Sequence, residues 1–334
     1  PFWAPNVFAG SPQIADPQSL IFSPALLLAL VNPSPSFQAV DAMVLMTLGF
    51  GGLAIIGVFR DRGWHAAGAV VAALAFSFGA SAAWRIQHIG QIESYVFFAI
   101  TLWCVLRALD RSSWGWGVGA GLAGALMLVK PDQVGFLGAF VLVGVVVDYF
   151  IAADALTRLR RAIAPLTAAI VAGVAMIAAP VLMTYLFATD SNRPEFAFAD
   201  AAHGSLHPAS LLTMIVSDLF GAKDPAVDYW GPSSSVWSPG ELTLSQNMGQ
   251  MYLGAVPALA LLAFGLLRGY LMERSMRLLA AAAVALVLYA LGWYTPAFRY
   301  FFDFVPGVDV FRRPADATFM IGAGRSALPS IAAS

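Results

Sequence analysis

The chain has 334 residues, of which 59% are hydrophobic and only 11% charged, with a mean hydropathy of +0.75 and a formal net charge of −1. Soluble domains carry about 25% charged residues, and a soluble core can hide one wholly apolar helix but not a series of them. No polybasic face for nucleic acid is present, and the single cysteine, Cys104, excludes an intrachain disulfide and a cysteine-based zinc site, which leaves it as a small packing residue.

Residues 1–36 are rich in proline and aromatics and read as an external first loop. Within it the apolar stretch 19–31 is too short to span a bilayer, so an interfacial or re-entrant helix is expected there. Hydrocarbon about 30 Å thick wants roughly 20 apolar residues per helix. Runs of that kind, some a little short, fall at 37–59, 66–83, 92–109, 114–129, 133–153 and 162–187, six spans within 37–188. Residues 189–250 form a long external segment of mixed composition. There Ala209–Phe220 has apolar residues at helical spacing and predicts an amphipathic interfacial helix, while Tyr229-Trp230-Gly231-Pro232-Ser233-Ser234-Ser235 reads as loop. Residues 251–334 hold two more spans, 251–267 and 278–293, then an external arginine-containing loop and, at Phe319-Met320-Ile321, the start of a further span. The predicted fold class is therefore all-α, a polytopic transmembrane helical bundle with external loops and interfacial helices. No tandem repeat and no inverted repeat of hydropathy is visible, which weakens a transporter reading.

Charge sorts by gap. Arg60, Arg62, Arg107, Arg111, Arg158, Arg160, Arg161, Arg268, Arg274 and Arg277 occupy alternate gaps, and the positive-inside rule makes those gaps cytoplasmic. The remaining gaps hold Arg85, Lys130, Arg193, Lys223, Arg299, Arg312 and Arg313 together with most of the acids, including Asp190, Glu195, Asp200, Asp218, Asp224, Asp228 and Glu241. Both chain ends then lie outside, and an external start at Pro1 with no apolar run before it implies a further transmembrane helix upstream.

No Walker A loop, dinucleotide fingerprint, HExxH or Gly-x-Ser-x-Gly elbow occurs. The candidates are polar groups at the outer ends of spans, where ionisable residues are expensive and need a reason. In Arg85-Ile86-Gln87-His88-Ile89-Gly90-Gln91-Ile92-Glu93, the residues Gln87, Gln91 and Ser94 share one helix face, as do His88, Gln91 and Tyr95. Such a stripe can bind sugar hydroxyls or phosphate, with Glu93 as a base or metal ligand; the other reading is a hydrated turn in which Arg85 pairs with Glu93. Lys130-Pro131-Asp132-Gln133 is either a phosphate-binding lysine beside a substrate-binding Asp132, or a turn in which Asp132 caps the next helix and Lys130 snorkels. Phe311-Arg312-Arg313-Pro314 puts two arginines side by side against the charge rule, which calls for a phosphate or for pairing with Asp303, Asp309 or Asp316. Asp16, with Asn6, Gln13 and Gln18, and Asp41 at the start of its span are further acids that suit either a structural or a catalytic role. His65 borders a cytoplasmic loop; His203 and His207 have metal-ligand spacing, but Gly204 and Pro208 argue against a regular helix there and for surface histidines.

Four stretches carry a family resemblance. Pro1-Phe2-Trp3-Ala4-Pro5-Asn6-Val7-Phe8-Ala9-Gly10-Ser11-Pro12, continuing through Ala15-Asp16-Pro17-Gln18-Ser19 to Phe22-Ser23-Pro24, resembles the first external loop of YfhO-like bacterial membrane proteins. Gln87-His88-Ile89-Gly90-Gln91, Tyr252-Leu253-Gly254, and Gly292-Trp293-Tyr294-Thr295-Pro296 leading through Val305-Pro306-Gly307 to Phe311-Arg312-Arg313-Pro314 are similar to the same family, in its order. The resemblance implies a GT-C superfamily glycosyltransferase of the bacterial cytoplasmic membrane and cell envelope. Such an enzyme moves a hexosyl or related sugar from a polyprenyl-phosphate donor to a glycan, lipid or protein acceptor at the outer face. It also implies that the principal catalytic aspartate precedes Pro1, so that this stretch alone is inactive. On this view Asp16 or Glu93 serves the acceptor, with His88 assisting. Arg312, Arg313 and Lys130 serve the donor phosphate, and Gln87, Gln91 and Asp132 line the substrate. No cofactor is specified, and a divalent metal ion is compatible. The competing expectations are a secondary transporter or flippase, and a non-catalytic envelope-assembly protein.

Overall fold

A chain this apolar has no water along most of its length to satisfy backbone N–H and C=O groups, so those groups must be paired within helices. The computed structural model describes residues 3–6, 10–16, 19, 21–151, 154–189, 196–221, 229–232, 237 and 246–327. Among these there is no strand; the one extended pairing is an isolated bridge between Ala4 and Ser11. The principal helices are α1 (Leu26–Val31), α2 (Phe37–Arg62), α3 (Ala66–Phe78), α4 (Ala80–Ala83), α5 (Ile89–Asp110), α6 (Trp114–Leu128), α7 (Gln133–Ile151), α8 (Ala155–Thr189), α9 (Phe198–Ala202), α10 (Ala255–Ala260), α11 (Arg274–Ala290), α12 (Ala297–Phe304) and α13 (Thr318–Ala327).

Each apolar run expected to span contains a helix, although the seventh, expected from 251, becomes helical only at Ala255, and the protein is an all-α polytopic bundle. Among the described residues five helices are long and apolar enough to cross a membrane: Phe37–Arg62, Ala66–Ala83, Ile89–Asp110, Gln133–Ile151 and Ala155–Thr189. Trp114–Leu128, Ala255–Leu266 and Met276–Ala290 are shorter apolar helices, the second continuing from α10 through a π-helical stretch, Leu261–Leu266. The helix expected within 19–31 is confined to α1, because Ser23 and Pro24 form turns ahead of it. The amphipathic helix expected at Ala209–Phe220 is instead a 3₁₀ helix, Pro208–Met214, followed by turns. Thr213 Oγ1 shares its one proton between the Ser210 and Gly249 carbonyls and accepts from Met251 N, so its hydroxyl competes with α-helical pairing. The further span expected from Phe319 corresponds to α13, whose Phe319, Met320 and Ile321 are buried. Asp190, Arg193, Glu195, Lys223, Asp224, Asp228, Glu241, Gln18 and the Ser233–Ser235 part of the expected loop lie outside the described residues.

Contacts divide the chain into two compact units, each assembled from two separate stretches. Unit 1 is Pro1–Ala54 with His88–Pro194, and unit 2 is Ile55–Gln87 with Glu195–Ser334. In unit 1, α5 and α6 form an antiparallel hairpin in which Gly119 faces the buried Cys104 Sγ and Gly124 faces Thr101. α6 then packs parallel to α8. Gly117 lies against the Pro165 carbonyl and Gly121 against Ala169 and Gly173, so closely that a Cβ at either glycine would collide with backbone. Glycines four apart on one helix, facing small residues four apart on the other, let two backbones meet where side-chain packing must replace the hydrophobic effect. In unit 2, α13 lies against α3 and α11, and the core gathers Phe76, Tyr289, Phe298, Leu206 and Met251.

Gly121→Leu is expected to force α6 from α8 and lower stability by at least the roughly 1–3 kcal/mol of an overpacked core. Leu122→Ala next to it, 42% exposed, should stay within about 0.5 kcal/mol. Thermal unfolding of the two variants in the same detergent compares them.

Candidate functional site

Among the described residues each unit contains one buried charge centre, and in both the sequence distance between partners is long. In unit 1, Lys130 follows the end of α6 and Glu93 is the fifth residue of α5, positions that an antiparallel hairpin brings to one end. Lys130 Nζ donates to Glu93 Oε2 at 2.6 Å, and both residues are buried. The other carboxylate oxygen, Oε1, accepts from the Ser23 hydroxyl, which itself accepts from Ala25 N at 3.0 Å. Gly90 leaves room for the lysine stem: a Cβ there would sit 3.3 Å from Lys130 Cδ. Beside this centre, Asp132 caps α7, its Oδ1 accepting from Gly135 N at 2.9 Å. Its Oδ2 lies 2.6 Å from Ser94 Oγ, whose single proton is shared with the Met127 carbonyl at 3.0 Å.

Two sequence readings are corrected here. Glu93 does not pair with Arg85, and Lys130 does not snorkel. The lysine is 6% exposed because a carboxylate stands within hydrogen-bond reach, and removing either charge from its partner would leave the other uncompensated in an apolar wall. The cap reading of Asp132 agrees with its geometry. Gln91 and His88 are half-buried at the start of α5; His88 occupies the N-cap position without a side-chain cap bond. Asp16 is half-buried in the opening loop, where its carbonyl accepts from Ser19 N at 3.0 Å. Asp41 is exposed on α2.

In unit 2 the centre is Arg85, wholly buried. Its Nη1 donates to Asp316 Oδ1 at 2.8 Å, its guanidinium lies 4.9 Å from the Phe319 ring centre, and its Nε finds no partner. Burial pulls the guanidinium below its ordinary value, while the charge of Asp316 and the hydrogen bond to it push back. Asp316 thus pairs with Arg85, and Asp303 with the exposed Arg299 at 2.6 Å.

Arg312 and Arg313 are exposed. The loop that carries them is fixed from beneath. Arg313 N donates to Ala201 O at 3.2 Å, Ala315 N to Gly204 O at 3.1 Å, and Asp316 N to Arg313 O at 2.9 Å. A Cβ on Gly204 would meet Arg313 Cα at 2.6 Å. The 201–206 segment is tied in turn to the end of α11 by Leu206 N to Ala290 O at 2.7 Å and Trp293 N to Ser205 Oγ at 2.7 Å. Arg313 has φ 73°, a left-handed conformation that a side chain resists. Arg312 stacks 4.9 Å from the Phe196 ring centre. Gln87 is exposed and belongs to unit 2 by contact, one residue before the boundary.

Sequence reasoning missed Ser23 and the aromatic setting of His207. The latter is half-buried rather than a surface residue, edge-on to Trp237 at 5.1 Å and Tyr294 at 5.0 Å, with Nδ1 accepting from Ala209 N at 3.1 Å as the cap of the 3₁₀ helix. His203 is exposed, and among the described residues no group of three or more His, Cys, Asp or Glu could hold a metal ion. His65 caps α3 in the same way as His207 caps its turn.

Two measurements follow from these contacts. Glu93→Gln should cost about 3–5 kcal/mol by stranding Lys130, whereas Glu93→Leu with Lys130→Met should recover most of that loss; thermal unfolding in detergent reads both. Burial holds His207 below its ordinary 6.5, so the unfolded chain takes up the proton first and stability declines as pH falls through that value. The melting temperature should drop between about pH 7.5 and 5.5, and drop less in His207→Asn, which keeps a capping oxygen.

Comparison with protein-family models, with curated proteins and with solved structures finds no match to this chain.

Proposed function

We propose that the protein is an integral membrane glycosyltransferase that transfers a sugar from a polyprenyl-phosphate-linked donor to an acceptor at the outer face of the membrane. The observation that carries the reading is the arginine loop. Two exposed guanidinium groups stand on a backbone bound at several points to buried segments, one of them in a left-handed conformation. Strain of this kind costs of order 1–3 kcal/mol and clusters at ligand clamps. Adjacent arginines are matched to a pyrophosphate or phosphate oxygen array by their fork of donors. The GT-C and YfhO-like resemblance of Phe311-Arg312-Arg313-Pro314 and the stretches before it points the same way.

Glycosyl transfer from a lipid phosphate needs a carboxylate to take the proton of the acceptor hydroxyl as the new glycosidic bond forms, and cations to receive the charge left on the departing phosphate. The reading gives the second task to Arg312 and Arg313. It gives the first to Asp16, with His88, Gln87, Gln91 and Asp132 contacting substrate. Glu93 and Lys130 neutralise each other at 2.6 Å, so this reading leaves neither to serve the acceptor or the phosphate.

A secondary transporter or flippase is the second reading, favoured by the buried Glu93–Lys130 pair, because paired ionisable groups among apolar helices recur along substrate and proton paths. It predicts flux across vesicles without covalent product.

The test is release of polyprenyl phosphate from polyprenyl-phosphate sugars by the purified protein at its full natural length. Arg312→Ala with Arg313→Ala should cut release by at least about 100-fold, the scale of one lost oxyanion donor. Arg313→Gly separates function from folding: it should raise the melting temperature, through relief of about 1 kcal/mol of left-handed strain, while release still falls. Wild-type-like release from the double variant would sink the phosphate role. Flux with no release from any donor would favour transport.

A further inference from the structure

We propose that the groove between α6 and α8 binds one anionic phospholipid, with an acyl chain along the groove and the phosphate on Arg160 and Arg161. The groove is open-sided, about 550 Å³ in volume, and walled by Val118 of α6 and a stripe of α8 from Ile163 to Ala175 that includes Ala164, Ala168 and Ala172. Small side chains on α8 and the glycine-mediated approach of α6 leave a trough rather than a ridge there.

Three features define its occupant. The first is polarity: α8 is 35 residues long with a hydropathy of 2.3 over its apolar window, of which only 6% is buried. A surface like that is stable against hydrocarbon and not against water. The second is length. From Ile163 to Ala175 the groove runs roughly 18 Å at 1.5 Å per residue, a little over half of the ~30 Å hydrocarbon core. That suits one leaflet's acyl chain and is too short for a spanning partner helix.

The third is charge. Arg160 and Arg161 lie one turn before Ile163 and Ala164, and at about 100° per residue both fall within the arc of the lining stripe. Both are exposed, and neither makes an ion pair with any described residue. Arg158, by contrast, is engaged: Nη1 donates to Tyr149 O at 2.9 Å and the guanidinium covers the Tyr149 ring. Side chains on a helix lean toward its N-terminus, so Arg160 and Arg161 reach away from the groove mouth toward the level where headgroups lie. Because α6 and α8 are parallel, Trp114, 70% exposed at the start of α6, stands at that same end. Exposed tryptophan marks the interface between hydrocarbon and headgroups. An apolar trough ending in two uncompensated arginines at headgroup level is complementary to a phosphate with a tail attached.

The test uses the purified protein stripped of lipid in a neutral detergent and titrated with phosphatidylglycerol or phosphatidylcholine of identical chains, binding being read by native mass spectrometry. Phosphatidylglycerol should bind at one site and more tightly. Arg160→Gln with Arg161→Gln should weaken it about 30-fold, each surface arginine contributing about fivefold toward an anionic lipid, and should leave phosphatidylcholine unchanged. Ala168→Phe, which fills the trough, should weaken both lipids. A photoreactive residue at Ala172 in the otherwise unaltered chain should label the acyl chain of phosphatidylglycerol, so the result does not rest on variants alone. Equal binding of the two lipids would overturn the proposal. So would competition by inorganic phosphate at the lipid's own concentration, which would make the site a free-anion site, or a dimer dissociated by Ala168→Phe, which would make the groove a contact between copies of this chain.

Discussion

A charge moved from water into a wall of apolar helices costs several kcal/mol unless a counter-charge meets it in good geometry. Among the described residues four charged side chains are buried, Arg85, Glu93, Lys130 and Asp316, and they resolve into two ion pairs, one in each unit. The local architecture follows from that constraint. Ser23 is drawn out of the opening segment to the free oxygen of Glu93, which sets where the turn before α1 lies. Arg85, reaching Asp316, fixes the turn from which α13 departs. Neither pair is expected to add much stability over a well-packed apolar substitute. What each pair fixes is position, since any other placement of these loops would strand a charge.

Where no charge has to be matched, the helices are placed by the absence of side chains. Gly117 and Gly121 bring α6 onto α8, and Gly135 approaches the Met127 carbonyl at the α6–α7 turn, where a Cβ would stand at 2.6 Å. Such contacts replace the hydrophobic drive that is missing between helices already surrounded by hydrocarbon. They also explain how α8 can be held firmly and yet remain so little buried: one narrow stripe of small residues carries the contact, and the rest of its circumference faces outward.

The helices were legible in the sequence, because runs of apolar residues bounded by Pro, Gly and charge are a strong signal for spans. The pairing of the polar clusters was less so. Glu93 and Lys130 stand 37 residues apart and Arg85 and Asp316 231 apart, and sequence proximity pointed instead to Arg85 with Glu93. The first pair had a usable signal: consecutive spans in a hairpin bring the start of one beside the end of the next, so the start of α5 must meet the end of α6. The second had none, since nothing local ties the α4–α5 turn to the segment before α13. At Pro208–Phe220 apolar spacing favoured an α-helix, and the hydroxyl of Thr213, which binds the backbone at Ser210, Gly249 and Met251, decided against it.

The two kinds of polar residue in this chain differ in what they are available to do. Glu93, Lys130, Arg85 and Asp316 have their charge balanced by the protein, and a group already neutralised gains little by meeting a ligand. Arg312 and Arg313 are exposed, and the backbone beneath them is strained and tied down by Ala201, Gly204 and Asp316. Strain is tolerated only where the surroundings over-determine it, and here the surroundings include a wholly buried arginine whose carboxylate partner lies three residues beyond Arg313. The buried pair thus holds the exposed pair in place, at the cost of two desolvated charges. That ordering, with the least mobile charges supporting the most accessible ones, is what a preorganised anion clamp requires.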